Sequence, residues 1–366
     1  MKYVILFEDD PDKRPQLAKY LKKYLPYKVS VVEIDGHGKQ DRGITYEDQL
    51  KEMLMKYGTG KALVLCDKDL SGLGEKFIGL SYSTVAAVAD RLGLPLCLYA
   101  RGEEQQGGEA FLRSLAPWEK KRIFLDYRNE KNLAVDSAKI FKGFNDIAIA
   151  YSKLSKKSQS TPARALAAIL GKEGIDDRIS LYGSGEQGFL EDIMPFITRK
   201  SPSRSKSIAT GELKRRMPRI LGNWLYTSIL RFPGIFVNQI AAASYLNINP
   251  NDFSKPDIQN LFRKAKYSGP FADAEIGPWW WRHELDNIVI NRKFKDGFSL
   301  AKVKHPRIRP CLDSKDEPAG FYCMVTKEPV SEKNSRGGVS WFPSGADLAR
   351  IRYDKFRELG PWIGLY

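Results

Sequence analysis

The chain has 366 residues, 42% of them hydrophobic and 28% charged. That length predicts two or three domains, and that mixture excludes a disordered chain, a collagen-like fibre and a small disulfide scaffold. The net charge of +15 is uneven: residues 1–150 carry 24 basic and 22 acidic side chains, whereas residues 151–366 carry 35 and 22.

Tyr3–Phe7 (YVILF) reads as a strand buried on both faces. Pro11–Tyr24 follows as a helix, with Leu17, Tyr20, Leu21 and Tyr24 at helical spacing and Asp9, Asp10 and Asp12 at its positive end. Val29–Ile34 is the second strand, Tyr46–Tyr57 a helix, Ala62–Cys66 the third strand, Tyr82–Leu92 a helix and Pro95–Tyr99 the fourth strand. Gly108–Leu115 reads as a short helix, Arg122–Leu125 as the fifth strand and Asn132–Leu154 as a long closing helix. Strands separated by helices pair in parallel, so the expected fold is α/β, a doubly wound five-stranded parallel sheet. Four cysteines are few, and Cys66 and Cys97 sit inside apolar strands. Free core thiols behind an N-terminus (MKYVILFEDD) that is no secretory signal predict a cytoplasmic protein. No apolar run approaches the roughly 18 residues of a membrane span, so no membrane association is expected.

In such sheets the chemistry lies at the carboxyl ends of the strands. Strand one ends in Glu8-Asp9-Asp10 and strand three in Asp67-Lys68-Asp69, followed by Leu70-Ser71-Gly72. Glu8, Asp9 and Asp67 are therefore expected in one acidic cluster, and crowded oxygen ligands of this kind suit Mg²⁺. The plainer reading is that Asp9 and Asp10 cap the first helix and Asp67 caps a turn.

VILFEDDPDKRPQLAKYL resembles the opening of bacterial response-regulator receiver domains, and VLCDKDLSG resembles their phosphoacceptor strand. The resemblance covers residues 1 to about 150 and implies a receiver (flavodoxin-like) fold. It implies Glu8, Asp9 and Asp67 as Mg²⁺ ligands, Asp67 as phosphoacceptor, a partner sensor kinase and a homodimer through this domain. Two positions depart from the receiver pattern. Tyr99 stands where receivers carry Thr or Ser, and Asp126 where they carry Lys; Arg101 or Arg128 would have to supply the missing cation. These departures weigh against phosphorylation and leave a docking or dimerisation role. A competing reading takes Glu8, Asp67 and Asp69 as a Toprim-like Mg²⁺ site for phosphodiester cleavage. It lacks the Gly that Toprim domains place after their Glu, since Asp9 is there. A third reading is a protein-binding scaffold built on a pseudo-receiver.

Beyond Leu154–Pro162, a polar break, the chain divides into a helical connector (155–198), a basic arm or linker (199–219) and a basic domain (220–366), behind the receiver-like domain (1–154). Thr161 and Pro162 start an Ala-rich helix, and Gly183–Gly188 is a formal GxGxxG that reads as a turn because no further strands follow it. Arg199, Lys200, Arg204, Lys206, Lys214, Arg215, Arg216 and Arg219 face only Glu212, with serines interleaved. Such a run neutralises phosphates without reading sequence; the alternative is a solvated linker. Ile220–Leu230 and Ile235–Leu246 read as helices, and Lys255–Lys266 as the second helix of a helix-turn-helix. It would present Gln259, Asn260, Arg263, Lys264 and Lys266 to a groove. Trp279–Arg282 and the following HELDNIVINRKF suggest a helix leading into a strand, as in a winged helix. The three tryptophans suit either core anchoring or base stacking. His283, His305, Cys311 and Cys323 match no compact zinc spacing. FYCMVT reads as a strand and Ala346–Leu359 as a closing helix. The expected back half is thus mainly helical and basic. The expected whole is a response-regulator-like, DNA-binding transcriptional regulator, with RNA as the other polyanion.

Overall fold

The computed structural model describes residues 1–36, 43–58, 61–100, 122–183, 216–274 and 276–363. The chain forms two compact units. The first lies within Met1–Glu104, Arg122–Ala165 and Phe196–Asn223, the second within Leu166–Pro195 and Trp224–Tyr366.

The first unit is a five-stranded, all-parallel sheet of order β2-β1-β3-β4-β5. Its strands are β1 (Tyr3–Phe7), β2 (Ser30–Ile34), β3 (Ala62–Asp67), β4 (Leu96–Ala100) and β5 (Ile123–Asp126). The helices between and after them are α1 (Lys13–Tyr24), α2 (Tyr46–Met55), α3 (Tyr82–Leu92) and α4 (Glu130–Ser152). The order is that of flavodoxin-like sheets. β1 and β3 are central, and Val4–Phe7 and Ala62–Cys66 are wholly buried, as continuous aliphatic runs require when helices cover both faces. α1 packs against α4, and α2 against α3. The helix starts follow from side chains: Thr45, Ser81 and Asn129 accept the N–H of Asp48, Thr84 and Asn132. Asp10 Oδ1 accepts the N–H groups of Asp12 and Lys13 at the head of α1. The helix expected over Gly108–Leu115 lies outside the described residues.

Two loops beside the carboxyl edge meet backbone to backbone at Gly36 and Gly74. A Cβ at Gly36, after β2, would lie 2.6 Å from the Gly74 nitrogen, and one at Gly74, after β3, would lie 2.8 Å from the Gly36 oxygen. Gly36 has φ +67°, and its carbonyl accepts the Lys76 N–H at 3.0 Å. Only glycine satisfies both the conformation and the approach.

The second unit carries short strands among its helices. β6 (Phe236–Asn238) pairs antiparallel with β7 (Trp279–Trp281). A four-stranded sheet has the order β10-β11-β8-β9, made of Ser335–Arg336, Ala349–Arg352, Phe321–Cys323 and Pro329–Val330. Four expectations change here. The front of the predicted Ile235–Leu246 helix is β6, and the helix itself is Gln239–Tyr245. Trp279–Trp281 is a strand that leads into a helix, Arg282–Asn291, the reverse of the predicted order; pairing with β6 fixes it. Lys255–Lys266 is two short pieces, Pro256–Leu261 and the 3₁₀ turn Arg263–Ala265, parted at the buried Phe262. The front of the predicted Ala346–Leu359 helix is β11, drawn into parallel pairing with β8, and the helix itself is Tyr353–Ile363.

The core of this unit is aromatic. Trp279, Trp280 and Trp281 are 1%, 0% and 7% exposed, which assigns all three to packing and leaves none free to stack on a base. Trp281 meets Phe236 at 4.2 Å between ring centres and Trp280 meets Phe253 at 5.2 Å, while Trp279 Nε1 donates to the Leu230 carbonyl at 2.9 Å. Among the described residues no helix is long and apolar enough to cross a membrane.

Candidate metal centre

β1 and β3 run side by side in register, Phe7 opposite Cys66, so their next residues emerge together at the carboxyl edge. This is the switch point where the strand order reverses, the place where doubly wound sheets bind ligands. Oxygen atoms of Glu8, Asp9 and Asp67 lie there within 4.8 Å of one another, the one metal-capable cluster of three or more such groups among the described residues. His283, His305, Cys311 and Cys323 form no such group, and the four cysteines are free and buried.

Each carboxylate accepts a backbone N–H. Glu8 is fully buried; its Oε1 accepts the Asp10 N–H at 3.0 Å and its Oε2 accepts the Tyr99 hydroxyl at 2.8 Å. Asp9 Oδ2 accepts the Gly72 N–H at 2.9 Å, which ties the end of β1 to the loop after β3. Asp67 is 3% exposed, and its Oδ1 accepts the Asp69 N–H at 3.1 Å. Asp10 alone caps the helix; Glu8, Asp9 and Asp67 converge instead. Asp69 stands apart: its Oδ1 accepts the Ser71 N–H at 3.0 Å, and it is no member of the cluster.

Two unit charges about 5 Å apart at an effective dielectric near 20 repel by about 3 kcal/mol. Three carboxylates drawn this close form a site whose mutual repulsion a small hard cation would offset. The donor set is all oxygen, which suits Mg²⁺ or Ca²⁺ over a thiophilic metal.

Tyr99 is opposite Asp67 in the β3–β4 register and fully buried. Its ring stacks on Tyr127, centres 6.1 Å apart. Burial raises its pKa well above the ordinary phenol value, and the charges of Glu8 and Asp67 add to the effect. It therefore stays a protonated donor. At the end of β5, Asp126 lies 3.8 Å from Arg128, which also reaches Asp136 at 3.4 Å. Arg101 lies outside the described residues. The Tyr99–Glu8 bond is the feature that sequence reasoning did not anticipate; the signal for it was the register that sets residue 99 beside the cluster.

The basic residues fall in three groups. Arg199, Lys200, Arg204, Lys206, Lys214 and Arg215 lie outside the described residues. Arg216 and Arg219 meet the last turn of α3: Arg216 donates to the Arg91 carbonyl at 2.5 Å, and Arg219 donates to the Asp90 carbonyl at 3.2 Å and pairs with the Asp90 carboxylate. There they add to the capping of the helix end, where the Asp90 carbonyl also accepts the Gly93 N–H. Arg263, Lys264 and Lys266 are exposed around the buried Ala265. Comparison of the chain with family models, with curated proteins and with solved structures gives no match.

Proposed function

We propose that the first unit is a receiver-like regulatory domain that binds Mg²⁺ through Glu8, Asp9 and Asp67. On this reading it serves as a docking or homodimerisation module for a basic second region that binds nucleic acid, in a transcriptional regulator. The observation that carries the proposal is the gathering of Glu8, Asp9 and Asp67 at the switch point of the sheet. Asp67 is the carboxylate that a sensor kinase would phosphorylate, but two neighbours oppose that step. The Tyr99 hydroxyl is committed to Glu8, and Asp126 adds negative charge where receivers carry Lys. Cation binding without phosphoryl switching follows. The nuclease reading keeps only Glu8 and Asp67 of its three carboxylates. For the second region, the support is the excess of 35 basic over 22 acidic residues beyond residue 150, with Arg263, Lys264 and Lys266 exposed on one turn. DNA is the partner proposed, with RNA as the competing polyanion.

The test is a thermal melt with and without Mg²⁺, followed by mass measurement after incubation with acetyl phosphate. Mg²⁺ should raise the melting temperature of the native chain and leave that of Asp67→Asn unchanged, and no phosphoryl group should be gained. A melt indifferent to Mg²⁺ overturns the cation site. A phosphoryl group gained at Asp67 replaces the docking role with a phosphorylation switch.

A further inference from the structure

A second concentration of positive charge lies inside the folded second unit. Residues 292–309 hold Arg292, Lys293, Lys295, Lys302, Lys304, Arg307 and Arg309 against Asp296 alone. Where this segment folds back beside residues 255–258, the two line an open cavity of about 330 Å³. Lys255, Lys304, His305 and Arg307 line it, with Asp257 as the single acid and the buried Ile258 and Ile308 as its apolar part.

Two stretches of chain supply these cations. Lys304 ends the helix Gly297–Lys304, Arg307 sits in the turn beyond it, and Lys255 precedes the helix Pro256–Leu261. A helix C-terminus accounts for Lys304 alone. Lys255 is tethered to the buried Asp252 at 2.7 Å, and Asp252 also holds Arg309 at 3.2 Å, so one carboxylate fixes the wall of the cavity. Lys304 and Arg307 have no carboxylate partner among the described residues. With Asp257 as the one carboxylate lining the site, cations outnumber acids around it, the arrangement that concentrates an anion. The volume is at the small end of ligand sites, which run from roughly 300 Å³ upward. It fits one phosphate with its sugar or base, and the planar guanidinium of Arg307 matches a phosphate oxyanion.

We propose that this cavity binds the phosphate of a single nucleotide unit, with Lys304 and Arg307 on the oxyanion and Ile258 and Ile308 against the sugar or base. The unit belongs either to a nucleic-acid strand or to a free nucleotide. Only the first source rests on the nucleic-acid reading above.

The experiment is fluorescence anisotropy of the full chain with two probes, a labelled adenine nucleotide and a short labelled single-stranded oligonucleotide, each at low and moderate salt. The variants are Lys304→Ala/Arg307→Ala and, as a control for bulk charge, Lys19→Ala/Lys56→Ala on the first unit. All four side chains belong to exposed residues, and circular dichroism verifies that the variants fold. The first variant should lose about ten-fold or more in affinity. Its salt dependence should be shallower by about one per lost phosphate contact. The control should bind as the native chain does. Binding of the nucleotide alone, lost in the first variant, supports the cavity and overturns the nucleic-acid reading. Oligonucleotide binding that the first variant keeps overturns the cavity and leaves that reading standing. No binding of either probe overturns both.

Discussion

The two units reach a folded state by different means. In the first, aliphatic strands lie between helices, and the polar groups sit at the sheet edge, where the carboxylates converge. In the second, strands of two to four residues cannot supply a comparable sheet. The chain is held instead by aromatic rings and by buried polar groups that gather several segments. Asp313 accepts N–H groups from Lys315, Glu317 and Ser331, the Ser331 hydroxyl and the Asn334 amide. The Tyr182 hydroxyl donates to the Phe232 carbonyl and accepts the Ile235 N–H, while the carbonyl of Tyr182 accepts Trp224 Nε1. In the regular unit, the aliphatic core and the clustered carboxylates are separate sets of residues. In the irregular unit, single side chains carry much of the local structure.

Four substitutions would break or sharpen that contrast. Trp279→Ala, which removes a buried ring and its bond to Leu230, should cost about 4 kcal/mol in chemical denaturation followed by circular dichroism; a cost near 1 kcal/mol would show that the aromatic cluster is not the support. Asp313→Asn should cost about 3 kcal/mol, because it replaces a charged acceptor of five donors with an amide. It also carries a pH signature. The hydrogen bonds from Ser331 and Asn334, with backbone donors, outweigh burial and hold the Asp313 carboxyl well below the usual carboxylate range. A depressed folded-state pKa means stability that is complete above the unfolded value of about 4 and is lost as pH falls toward the folded value. Acid titration of native and Asp313→Asn chains should therefore diverge above pH 4 and converge in strong acid.

Effects at the sheet edge should be smaller, and one should be opposite in sign. Asp67→Asn relieves like-charge crowding and should stabilise the cation-free chain by about 2 kcal/mol while removing its response to Mg²⁺. A destabilised variant would mean that Asp67 serves the fold first. Tyr99→Phe should cost about 1 kcal/mol without Mg²⁺, since Glu8 loses one of its donors. Part of that loss should return when Mg²⁺ is added, which melts with and without the cation would measure.

The first unit was legible because its signals are local. Tyr3–Phe7 and Tyr82–Leu92 match the predicted ranges, and the other described strands and helices of the sheet differ by one to two residues at their ends. The acidic cluster was legible for the same reason: two strand ends and a parallel register place it. What local patterns missed depends on distant partners. Trp279–Trp281 is a strand because Phe236–Asn238 pairs with it, and Ala349–Arg352 because Phe321–Cys323 does. Arg216 and Arg219, read as part of a basic run, meet the last carbonyls of α3 more than a hundred residues earlier. The Tyr99–Glu8 bond spans 91 residues and followed from no motif.

The contact between Gly36 and Gly74 has a consequence for how this sequence can change over generations. Each position forbids a side chain because of the other's backbone, so neither can accept even alanine while its partner loop stays in place. The two codons behave as one locus, and the loop that carries Asp69 and Gly72 inherits that constraint. A lineage could discard every carboxylate of the acidic cluster at the sheet edge and still be compelled to keep both glycines. Their joint persistence in descendants would mark an intact scaffold, whatever became of Glu8, Asp9 and Asp67.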